Sequence, residues 1–314
     1  EPGAEFACME AVYGVAAKDA RAAFREYLRS RTRRTRRGHD QPYSIISTCG
    51  AQRGTEDFFA LNEVWALEHI THLAEAQRAA GLHWDFYDLE FWHDPAGDLR
   101  APDARRFPGG FGPVFSELTK LGTAPGLWIS SGNFPDNTAI DRWTFGYNPA
   151  VRDCGTSIDG KRNRLCRSTP PANRMYIDGL IHQIRANGVR LLKLDVGGEG
   201  GGEGIYPWCD NPKHAHLPGD WSIEANHNAQ IELLAALDRE CPDLFIMLYW
   251  GHRSPWWLLH GDTLFDVGMR VEMASLATRP ALYARSSSVR LMDQTRRQVK
   301  DLPALGWDSL GVGL

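Results

Sequence analysis

Three apolar runs carry ionisable residues at spacings that suit acid–base or nucleophilic chemistry. In VRLLKLDVGG (189–198), Leu191, Leu192 and Leu194 read as core, while Lys193 and Asp195 alternate with them. On a strand, residues two apart share a face, so the cation and the carboxylate point the same way. A lone buried charge is costly, but a Lys–carboxylate pair facing a cavity is tolerable. Gly197 and Gly198 let the chain turn and a ligand approach closely. Asp195 is therefore a candidate nucleophile or base held ionised by its neighbour, with a structural ion pair as the alternative. In GDTLFDVG (261–268), Asp262, Leu264 and Asp266 share a face under strand alternation, and Asp266 stands at the C-terminal end of the run. Two carboxylates converging on one ring at about 5–5.5 Å would retain anomeric configuration, and at about 6.5–9.5 Å would invert it. In WDFYDLEFWHD (84–94), Asp88 and Glu90 alternate with Tyr87 and Leu89 and share a face with Trp84, Phe86 and Trp92. Acids beside aromatics suit bidentate bonding of hydroxyls next to an apolar sugar face. Trp128, in GLWISS, is a candidate further wall.

These residues need a scaffold that brings strand ends together. Strand-like runs occur at 43–50, 83–92, 124–131, 189–198, 243–251 and 261–268, with weaker ones at 287–293 and 307–313. Helical segments are predicted at 56–81, 172–188 and 223–241, the first two stopped by Gly81 and Gly188. Strand and helix alternating about eight times predict an α/β fold, a (β/α)8 TIM barrel over 41–314. A doubly wound open sheet would want a Gly-rich turn after an early strand, which the sequence lacks. Barrel enzymes place their chemistry at the C-terminal ends of strands, where Asp88, Glu90, Asp195 and Asp266 are expected.

With 314 residues, 43% hydrophobic and 11 Trp, the chain can bury a large core, which excludes global disorder. A net charge of −4 argues against a general nucleic-acid binder. No run approaches the ~20 apolar residues of a membrane span. Residues 1–40 read as a helical lead-in followed by an Arg-rich linker, six Arg between Arg29 and Arg37, with a solvated linker as the leading reading. The six Cys form no C-x-x-C pair; Cys154 and Cys166 could staple the loop between them or stand as two thiols. The terminal GWDSLGVGL reads as a strand broken off, so the native protein is expected to continue at both ends.

The strand WDFYDLEFW, then RFPGGFGPVFSELTKLGTAPGLWIS, then GVRLLKLDVGG, resembles in order and spacing the catalytic barrel of glycoside hydrolase family 36, the α-galactosidase or melibiase-like enzymes, with a more distant likeness to family 27. The resemblance covers Tyr43 to Asp266. It implies a retaining hydrolase of α-galactoside-like substrates. The Asp of a K-x-D motif is the nucleophile, here Asp195, and its Lys binds sugar hydroxyls, here Lys193. The strand-two acids hold galactose O4 and O6, here Asp88 and Glu90. The acid/base lies about 70 residues further on. Asp266 follows Asp195 by 71 residues, with Asp262 as runner-up. Two departures stand out. DLEFW replaces the family's D-D-G-W, and YWGHRSPWW replaces a Cys/Ser-Gly-Gly-rich segment, which makes Arg253 a candidate polar contact and Trp250, Trp256 or Trp257 a stacking surface. The resemblance calls for a carbohydrate substrate, no cofactor and no metal, and implies flanking β-sandwich domains in the full-length protein. It leaves a homo-oligomer open, and the compartment, secreted or cytoplasmic, undecided.

Three rival readings remain. A non-catalytic sugar-binding barrel would keep the Trp and acidic contacts and lose the acid/base. A transglycosylase resembling raffinose synthases would share the residues and differ in acceptor. A metal-dependent hydrolase would use His214 and His216 with Glu199, Glu203, Cys209 and Asp210, but no strand-end His completes such a set.

Overall fold

The computed structural model describes residues 13–39, 41, 43–48, 61–93, 99–130, 167–168, 170–195, 214, 216–219, 221–249, 252, 255–265 and 307–308. Seven strands run in chain order: β1 (Ile45–Ser47), β2 (Phe86–Leu89), β3 (Ala124–Ser130), β4 (Leu191–Asp195), β5 (Phe245–Leu248), β6 (Thr263–Phe265) and β7 (Trp307–Asp308). All neighbouring pairs are parallel and the sheet order is the chain order. Parallel neighbours in sequence order require a crossover between each pair, which is the connectivity of a (β/α) barrel. The doubly wound alternative, whose strand order reverses, does not fit. The described elements make a partial barrel. The weak candidate at 287–293 lies outside the described residues, and the one at 307–313 contributes β7.

The described helices are α1 (Ala20–Arg31), the short α2 (Arg33–Arg36), α3 (Glu63–Ala80), α4 (Gly112–Leu121), α5 (Pro170–Asn187) and α6 (Trp221–Glu240). Asn62 caps α3 by accepting from the Trp65 N–H at 2.9 Å, and Gly81 ends it in the left-handed region at φ 63°. That conformation costs a β-carbon dearly, so glycine there stops the helix as the sequence predicts. Helix α4 was not anticipated. It is only 10 residues long and opens Gly112-Pro113, a start that suits proline at the first turn but gives a weak periodic signal.

Register divides the sheet into two chemical faces. Tyr87, Leu89, Leu127, Ile129, Leu192, Leu194, Ile246, Leu248 and Leu264 join one apolar cluster with residues of α3, α4, α5 and α6. Their neighbours in sequence point the other way. At the N-terminal end of that inner face, Phe86 and Phe245 pack with Tyr43, ring centroids 4.6–6.1 Å apart. Towards the C-terminal ends come Asp88, then Trp128 and Lys193 in register, then Asp195. The inner face is thus aromatic at the floor and charged at the mouth.

The Arg-rich segment is solvated only in part, with Arg29, Arg31, Arg36 and Arg37 exposed. Arg33 and Arg34 are buried, at 0% and 4% exposure. The Arg33 guanidinium donates to Asp238 Oδ1 and the Leu244 carbonyl at 2.8 Å each, and to Asp262 Oδ2. Arg34 lies over the rings of Tyr43 and Phe245. Between β5 and β6 the described residues include a single 3-10 helix, Pro255–Leu259, and α1 and α2 pack on it. The N-terminal helices therefore take a place that a full barrel helix would fill.

Candidate active site

Strand β4 brings Lys193 and Asp195 onto the inner face, two residues apart, as alternation requires. Lys193 is buried and Asp195 is partly exposed. The Lys193 ammonium donates to Glu90 Oε1, lies 3.6 Å from Asp88 Oδ2 and sits 4.2 Å above the centre of the Tyr249 ring. Glu90 also accepts from Ser47 Oγ at 2.8 Å, and its backbone N–H donates to Thr48 Oγ1 at 2.9 Å. Strands β1, β2, β4 and the end of β5 thus all contribute to one buried ionic group.

Its charge is unbalanced, because one ammonium faces two carboxylates. Asp88 is fully buried and neither of its oxygens has a hydrogen-bond partner among the described residues. Burial pushes its carboxyl up to about 7, Lys193 pulls the other way and Glu90 adds to the rise. Burial works to lower the Lys193 ammonium, but Glu90 and then Asp88 outweigh it, so the lysine stays charged. Near neutral pH the group is close to holding one extra proton, on Asp88. A buried carboxyl of this kind can donate to or accept from a hydroxyl.

Trp128 stands beside Asp195. Its indole N–H donates to Asp195 Oδ2 at 3.2 Å. Trp128 is therefore more than a wall, since it touches the carboxylate directly. Trp92 departs from the expected pattern. Alternation predicts it on the inner face with Asp88 and Glu90, yet it is fully buried in the helix-side core, 5.5 Å from Phe111 between ring centroids. Phe91 explains the change, because its backbone turns left-handed at φ 49° and ends the alternation.

Asp262 does not belong to this group. It precedes β6, at the N-terminal end of the sheet, with 0% exposure. Its carboxylate takes the Arg33 guanidinium, the Ile246 N–H at 2.7 Å and the His39 ring nitrogen at 2.7 Å. A carboxylate so engaged, at the opposite end from Asp195, serves the floor of the sheet and neither the acid/base nor a sugar contact. Trp257 is likewise buried in the helix-side core and offers no stacking surface. Asp266, Arg253 and Trp250 lie outside the described residues, as do Glu199, Glu203, Cys209 and Asp210. The rings of His214 and His216 meet edge to face at 5.5 Å. Among the described residues no three His, Cys, Asp or Glu are grouped to hold a metal ion. No helix among them is long and apolar enough to cross a membrane.

Ser47, Thr48 and Tyr249 escaped the sequence reading. Ser47 is aligned with Asp88 in the β1–β2 register, and Tyr249 follows β5 beside Leu194. Only cross-strand register could have singled them out.

No family model matches this sequence and no curated protein does. Solved structures do match. A variant of the family 36 α-galactosidase AgaA from Geobacillus stearothermophilus, in complex with stachyose, aligns with TM-score 0.57 at 13% identity, over 84% of this chain and 40% of its own. The galactosidase domain of the α-galactosidase-sucrose kinase AgaSK aligns with TM-score 0.58 at 12% identity, over 84% and 39%. The Thermus thermophilus α-galactosidase TtGalA, in complex with p-nitrophenyl α-D-galactopyranoside, aligns with TM-score 0.54 at 16% identity, over 91% and 54%. The chain thus spans between two fifths and just over half of these enzymes. The resemblance to glycoside hydrolase family 36 holds in three dimensions, and at these identities it is a likeness of fold.

Proposed function

We propose that this chain carries the catalytic barrel region of a retaining glycoside hydrolase acting on α-galactoside-like substrates. The observation that carries the reading is the inner-face group at the C-terminal end of the sheet. Asp195 is accessible and bound by the Trp128 N–H, with Lys193, Glu90 and Asp88 joined beneath it. Asp195 attacks the anomeric carbon while Asp266 protonates the departing glycosidic oxygen. Water then attacks the glycosyl-enzyme, gives its proton to Asp266 and releases Asp195. Asp88 and Glu90 meet hydroxyls on the far side of the ring. Lys193 pairs directly with Glu90 Oε1, a charge-assisted contact that holds this side chain in place. In this chain the ammonium spends its contacts on Glu90, Asp88 and Tyr249, so its electrostatic part is better supported than the direct sugar contact that the resemblance implies.

The test is hydrolysis of aryl α- and β-galactosides by the full chain and by Asp195→Asn. The expected result is α-selective cleavage, reduced by at least about 10²-fold in the variant without loss of folding. A wild type that binds galactose but cleaves neither anomer would leave a carbohydrate-binding barrel. Galactosyl transfer to a sugar acceptor in preference to water would make it a transglycosylase.

A further inference from the structure

Phe91 is the only non-glycine residue with positive φ among the described residues. A β-carbon in that region is strained, so the conformation persists only where its surroundings enforce it. Three consecutive residues at this turn all engage Trp128. The Phe91 ring lies 4.9 Å from the Trp128 ring, tilted by 46°. The Trp92 indole N–H donates to the Trp128 carbonyl at 2.6 Å. The His93 ring lies parallel to Trp128, within 6°, at 6.3 Å, and His93 is tied by a β-bridge to Pro102. Without the left-handed turn, alternation would send Trp92 to the inner face and Phe91 away from it. The turn thus exchanges their places, sending Trp92 into the core as an anchor and Phe91 onto the indole.

We propose that Phe91-Trp92-His93 forms a clamp that fixes the Trp128 indole so that its N–H holds Asp195 Oδ2 and sets the orientation of that carboxylate. The catalytic meaning rests on the glycosidase reading of Asp195, while the clamp itself is a claim about that carboxylate in any reaction. Trp128 touches the reacting group, and Phe91 is a positioning residue acting through it. A hydrogen bond to the ionised form stabilises the carboxylate, so its loss raises the pH at which Asp195 takes up a proton. Among the described residues, the other titratable groups around Trp128 and Asp195 are Lys193, Asp88, Glu90, Tyr249 and His93. They are common to all the variants, so they cancel in a comparison.

The experiment is a carbon-13 NMR titration of the aspartate carboxyls in the full chain, with Asp195→Asn used to assign the signal. Trp128→Phe keeps a ring and loses the N–H, and should raise the Asp195 midpoint by about one pH unit. Phe91→Leu should raise it by about half as much, and Phe91→Tyr should leave it in place. If Phe91→Leu does not fold, Phe91→Gly suits the left-handed backbone and carries the same expectation. In hydrolysis, the acid limb of kcat/KM should move with the NMR midpoint while KM changes little. An Asp195 midpoint unmoved in Trp128→Phe overturns the proposal. A midpoint moved in Trp128→Phe but unmoved in the Phe91 variants removes Phe91 from it. The NMR result holds or fails without any turnover, so it separates the clamp from the glycosidase reading.

Discussion

At the scale of single residues, the informative feature is a charge that does not balance. Lys193 can neutralise one of its two carboxylates, and Glu90 takes the short contact, so Asp88 keeps its proton to higher pH. The folded value, about 7, lies above the ordinary carboxylate value. The folded state therefore binds more protons than the unfolded chain between those values, and stability from this group falls as pH rises through that window. Asp88→Asn removes the titration. Thermal midpoints of wild type and variant, compared from pH 4 to pH 8, should change in the variant's favour as pH rises and level off above neutrality. A constant difference would show that Asp88 is ionised throughout. Lys193 and Asp195 were legible as a pair because alternation is local, and so was the shared face of Asp88 and Glu90. Which carboxylate would keep the lysine was not legible, since that depends on distances across two strands.

At the scale of elements, the floor of the sheet is held by α2. Arg33 joins α6 through Asp238, β6 through Asp262 and the start of β5 through the Leu244 carbonyl. Asp262 in turn fixes the β5–β6 register by receiving the Ile246 N–H while its own N–H donates to the Ile246 carbonyl at 2.7 Å. Removing one partner of a buried pair strands the other charge, so Arg33→Met should cost about 3–5 kcal/mol in denaturant unfolding. Adding Asp262→Leu should recover part of the loss, and the activity of the folded fraction should hold, because the pair lies at the end away from Asp195. A large fall in kcat with normal stability would return Asp262 to the catalytic candidates. Charge runs read alone look solvated, and nothing local marked Arg33 as the arginine of the run that would be fully buried against partners more than 200 residues away. The left-handed turn at Phe91 was equally hidden, because phenylalanine carries no signal for positive φ.

At the scale of the whole molecule, α1 and α2 are part of the barrel's wall. Arg36 donates to the Leu259 carbonyl at 2.6 Å, and Arg37 pairs with Asp238 at 2.7 Å. A chain starting at residue 41 should lose these contacts and those of Arg33 together, lowering the thermal midpoint by about 10 °C or more. An unchanged midpoint in scanning calorimetry would make the segment dispensable. The sequence by itself determined the parallel α/β architecture, most of its strand positions and the Lys193–Asp195 pair. All three follow from periodicity, a property of neighbours along the chain. Tertiary structure alone decided that Asp262 belongs to the floor, that Trp92 is core, that Trp128 grips Asp195 and that Arg33 and Arg34 of the Arg run are buried. Each of those outcomes depends on which distant segment a side chain meets, and that is set only when the strands take their register and the helices close over them.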